Sequence, residues 1–79
     1  MRFDFHAKMP ANAKRLQEEL TSRGGSCAIA CNGDGSDTDP FTYADGCLEC
    51  DEAEAVKIGE QCNASVYQHN PHRVVRHAQ

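Results

Sequence analysis

The sequence predicts an α+β domain of β-α-β-β-α-β order. Three observations predict it: strict two-residue alternation over residues 1–9, an apolar stripe of helical spacing over 9–20, and a second such stripe over 48–66. The length, 79 residues, suits one domain covering 1–79, near the lower limit for a chain that folds on its own core.

In the first segment Met1, Phe3, Phe5, Ala7 and Met9 fall on one face and Arg2, Asp4, His6 and Lys8 on the other. That period of two is a half-buried strand. Pro10 stops it and suits a helix's first turn, where its missing N–H is not needed. A helix then spans 10–23, with Met9, Ala13, Leu16 and Leu20 as its stripe and Gly24-Gly25 as its stop. Ser26 to Cys31 reads as the second strand, with Cys27, Ile29 and Cys31 facing the helices. Asn32-Gly33-Asp34-Gly35 is turn chemistry, since Asn, Asp and Gly tolerate positive φ.

A short third strand is expected around Phe41–Ala44. The second helix is expected to start within 45–51 and to run to about 67. Its stripe is Leu48, Ala55, Gly59, Cys62 and Val66, spaced by 7, 4, 3 and 4. Asp51 with Glu54 would cap a late start and Asp45 an early one. Asn70-Pro71 is read as its end and 72–77 as the last strand. This order is the split βαβ arrangement of ferredoxin-like folds, an antiparallel sheet with both helices on one face.

Charge is distributed unevenly. Residues 34–60 hold nine acids against Lys57, a net of −8, whereas the rest of the chain carries a net of +4 with histidines neutral. An acidic loop beside an acidic helix makes a negative surface that speeds encounter with a basic partner. The candidate partner-binding residues are Asp34, Asp37, Asp39, Glu49, Glu52 and Glu54. The partner they suit is a protein with a basic groove, of the kind that nucleic-acid-handling complexes use to neutralise phosphates. Direct nucleic-acid binding is not expected, because the outer face of strand one shows Arg2, Asp4, His6 and Lys8 rather than paired aromatics.

The five cysteines allow two readings. Cys27-x₃-Cys31-x₁₅-Cys47-x₂-Cys50 has a four-thiolate zinc outline, which makes a zinc-stabilised interaction or nucleic-acid-binding module the alternative. A strand over 26–31 would hold Cys27 and Cys31 about 13 Å apart at about 3.3 Å per residue, too far for one tetrahedral ion. The competing reading packs them as small hydrophobes, with no cofactor. Cys47-Leu48-Glu49-Cys50 at a helix start has thioredoxin-like spacing, but its acidic neighbours oppose thiolate formation. Cys62-x₆-His69-x₂-His72 lacks a fourth well-spaced metal ligand, and the 32–39 loop fits neither register of an EF-hand.

No nucleophile elbow, phosphate-cradling Gly loop or metalloprotease His pair is present, so a non-enzymatic role is expected. No run of signal-peptide or membrane-span length occurs either, which predicts a cytoplasmic protein without a membrane partner. In its short length, its acidic 34–60 window and its lack of catalytic motifs, the chain resembles the small acidic inhibitors of phages and mobile elements of the anti-CRISPR kind. That resemblance implies an inhibitor occupying the basic nucleic-acid groove of a CRISPR effector complex. It transfers no residue roles.

Overall fold

The computed structural model describes residues 1–31 and 42–79, with Cys31 and Thr42 through their backbone only. Two helices cover one face of a five-stranded antiparallel sheet. The elements are β1 (Arg2–Lys8), α1 (Pro10–Ser22), β2 (Ser26–Cys31), β3 (Thr42–Glu49), α2 (Glu52–Cys62), β4 (Ser65–Gln68) and β5 (Arg73–Arg76). The sheet order is β2-β3-β1-β4-β5. Its first four strands make the expected ferredoxin-like arrangement, and β5 extends the sheet as a hairpin with β4.

The alternation read in β1 is realised from Arg2 to Lys8, whereas Met1 and Met9, expected on its buried face, are exposed. Phe3, Phe5 and Ala7 are buried under the helices, while Arg2, Asp4, His6 and Lys8 point away. The helical stripe is realised too: Ala13, Leu16 and Leu20 of α1 close over Phe3, Phe5, Ala44, Leu48, Ile58 and Val66 in one core. Met9, outside that core, has φ 74° and precedes Pro10, so α1 begins at a backbone kink without a side-chain cap.

The second half differs from expectation in three places. β3 runs on to Glu49, so Cys47, Leu48 and Glu49 lie on a strand and not on a helix. Asp51 is the N-cap of α2, its carboxylate accepting from the Glu54 amide at 2.9 Å, which is the late start. The helix ends at Cys62, because Asn63 adopts the left-handed conformation (φ 47°), its N–H donating to the Gly59 carbonyl, to which the Ala64 N–H also donates at 2.8 Å. Val66 therefore belongs to β4, which takes the fourth-strand position assigned to residues 72–77. Those residues supply β5 instead, after a cis Asn70–Pro71 peptide. Ile29 also departs from its core assignment. It shares the helix-side face with half-buried Cys27, but β2 is an edge strand and leaves it 40% exposed.

Candidate partner-binding surface

Of the six candidate acids, Asp34, Asp37 and Asp39 lie outside the described residues. The described strands on either side of them are β2, which ends at Cys31, and β3, which begins at Thr42. Glu49 stands at the opposite end of β3 from Thr42, about 23 Å away at about 3.3 Å per residue.

The end that is described is built where β3 passes into α2. Glu49, Asp51, Glu52 and Glu54 crowd into six residues because the strand stops at Glu49 and the cap of the helix follows within two residues. The acids in the first turn of α2 also suit its positive end. Three of the four have a cationic partner. Glu49 lies 3.4 Å from the Met1 amino group, Glu54 accepts from Arg23 Nε at 3.0 Å, and Glu52 accepts from Arg73. These side chains remain open to solvent, at 76%, 44% and 48% respectively. Arg23 also bonds Glu19, which pulls the Glu19 carboxyl below its ordinary range. This end is a lattice of exposed acid–base pairs.

The open face of the sheet shows Arg2, Asp4, His6 and Lys8 on β1, as expected, and gains aromatics from the neighbouring strands. β3 brings Tyr43 and β4 brings Tyr67 to the face where strand one shows Asp4 and His6. Tyr67 stacks on His72 with ring centroids 5.9 Å apart, and Tyr43 lies 5.8 Å from His6. His6 Nδ1 lies 2.5 Å from Asp45 Oδ1, and His69 Nδ1 lies 3.1 Å from Asp4 Oδ2. Tyr67 was missed because its segment was read as the end of a helix. The only signal was Asn63, a residue that tolerates the left-handed region and so ends a helix early. Asp4, Asp45 and Glu49 alternate with Arg2 and Lys8 on this face, so it offers no continuous basic track for phosphates.

The Cys31 side chain lies outside the described residues, and among the described cysteines Cys27, Cys47 and Cys50 do not converge. Alternation along β3 sends Cys47 to the open face, where its thiol lies 3.3 Å from Ser26 Oγ, while Cys27 packs toward the core from the other face. Burial, with smaller effects from neighbouring acids, pushes the Cys27 and Cys50 thiols up, which opposes both thiolate ligation and redox attack. Cys62 is fully buried in α2, remote in role from His69 and His72 on the open face. Among the described residues no group of three or more His, Cys, Asp or Glu side chains is placed to hold a metal ion. No described helix is long and apolar enough to cross a membrane.

The chain matches no protein-family model, no curated protein and no solved structure.

Proposed function

We propose that this domain is a non-enzymatic binding module whose acidic end docks on a basic groove of a nucleic-acid-handling protein. The observation that carries the reading is the cluster at the β3–α2 junction: Glu49, Asp51, Glu52 and Glu54, all solvent-accessible, within six residues. The Met1, Arg23 and Arg73 partners hold three of these carboxylates in place without covering them. Exposed pairs of this kind are worth only about 0–1 kcal/mol, so a partner's arginines can replace them at little cost. Each carboxylate also retains acceptor sites for a second donor. Asp34, Asp37 and Asp39, which lie outside the described residues, are proposed as further contacts for the same partner. The specific form of this proposal is an inhibitor of the anti-CRISPR kind, in which carboxylates compete with nucleic acid for the groove.

The test uses the tagged chain to capture its partner from the host, followed by competition. Duplex DNA or RNA and rising salt should both release the partner, since exposed charges are screened beyond about 10 Å at 0.1 M. Glu49→Gln, Glu52→Gln and Glu54→Gln together should slow association about tenfold while leaving the melting curve close to the parent's. Asparagine at 34, 37 and 39 measures the share of those further contacts. A partner held equally by both triple variants, and not displaced by nucleic acid, would sink the proposal.

A further inference from the structure

The two edges of the sheet are built to different standards. β5 is four residues long and ends in Arg73 and Arg76. Its register with β4 is broken by an irregularity at Val66/Tyr67. Short length, cationic ends and a bulge are the usual devices that keep an edge strand from pairing with another chain. β2 has none of them. It runs six residues, Ser-Cys-Ala-Ile-Ala-Cys, with no charge and no proline, and its pairing with β3 is in unbroken register from Ser26 to Cys31. Among the described residues its other edge pairs with no strand. Ile29, 40% exposed, stands on that edge.

We propose that two copies of this chain pair antiparallel through β2, joining their sheets into one of ten strands. The occupant of the edge follows from symmetry and charge. A two-fold axis perpendicular to the sheet relates the copies, so both helical layers lie on the same side and residues of one face meet residues of the same face. Centred on Ile29, this register sets Ile29 against its own mate and covers the apolar side chain that the monomer leaves half open. A self-pairing edge must not place like charges opposite each other. β2 meets that condition in every register because it carries none, whereas β5 would set arginines together. Each copy has a net charge of −4, yet none of it lies on the strand that joins them. A pair of six-residue strands falls short of the roughly 1,200–2,000 Å² of a standard stable interface, so the dimer is weak and depends on concentration.

Sedimentation velocity on the whole chain, in reducing buffer so that no thiol cross-link mimics association, tests this directly. The parent should pass from monomer to dimer as concentration rises from micromolar toward millimolar. Ile29→Lys should weaken association about tenfold or more, because two ammonium groups then face each other. Mixing Ile29→Lys with Ile29→Glu should restore it between the two variants. Val74→Lys, at a side chain of matching exposure (41%) on the β5 edge, should change nothing. If Ile29→Lys does not fold, Ala28→Lys on the exposed face of the same strand serves in its place. A monomer at every concentration overturns the proposal, as does equal loss from Val74→Lys. So does protection of β2 amides from hydrogen exchange that arises only when another host polypeptide is added, which would assign the edge to strand addition by a different protein.

Discussion

The two faces of the sheet share the same strands and differ in almost every physical respect. On the helix side, Phe3, Phe5, Ala7, Ala44, Leu48 and Val66 join Leu16, Leu20 and Ile58 in one buried cluster. On the other side the polar residues pair instead, His6 with Asp45 across β1 and β3, and Asp4 with His69 just past the end of β4. The first face holds the domain together through apolar burial, worth about 25 cal/mol per Å² removed from water. The second contributes little to stability, because its pairs are already hydrated when separate. Apolar burial and polar pairing are therefore divided between faces, and substitutions should sort by face.

The largest effect is expected from Phe5→Ala. Phe5 is central on β1 between β3 and β4, and its loss should cost about 3–5 kcal/mol. The whole stability of a domain this size is roughly 4–12 kcal/mol. Urea unfolding checks this, and a midpoint equal to the parent's would mean that the helix-side face is not the core.

Gly46→Ala sharpens the contrast from the opposite direction, by adding volume to the same face. A Cβ there would lie 2.4 Å from the Ser26 carbonyl oxygen and 2.5 Å from Leu20 Cδ1. Leu20 has alternatives, but the carbonyl belongs to the paired backbone of β2 and cannot move alone. We expect a loss of about 1–3 kcal/mol, with a fall in Tm of about 4–8 °C for each kcal/mol. An unchanged Tm would show that β2 shifts freely against β3.

The smallest effect should come from the open face. Asp45→Asn keeps the shape and removes the charge beside His6, and should change stability by no more than about 0.5 kcal/mol. A loss as large as that of Gly46→Ala would erase the division between faces and make the open side part of the structural frame.

The first half of the fold was legible because each element there has its own period and its own stop. Pro10 and Gly24-Gly25 bound α1, and β1 alternates without a break. The second half misled because Leu48, Ala55, Gly59, Cys62 and Val66 keep helical spacing across three different elements. Leu48 lies on β3, Ala55 to Cys62 on α2 and Val66 on β4, yet all five face the helix–sheet interior. Spacing recorded a shared destination and not a shared helix. For the candidate site, the crowding of acids at 49–54 is plain from their adjacency, but Glu49 lies on β3 and Asp51 caps α2 where a helix was expected, and their cationic partners were invisible. Arg23 and Arg73 lie 31 and 21 residues away in sequence from Glu54 and Glu52.

What the sequence determined by itself is local in origin: the strand period of β1, the stripe of α1, Asp51 as one of two candidate caps for α2 and the crowding of acids around it. Such features depend on residues within about one turn of each other or on alternation along one strand. The tertiary structure alone decided that residues 45–49 extend a strand, since pairing with β1 and β2 on both sides outweighs their helical spacing. It also decided that each acid at 49, 52 and 54 faces a cation, that Tyr43 and Tyr67 share the open face, and that β2 stands at an edge. These are outcomes of strand order, and strand order is set by which apolar faces can be buried together, a property of the whole chain.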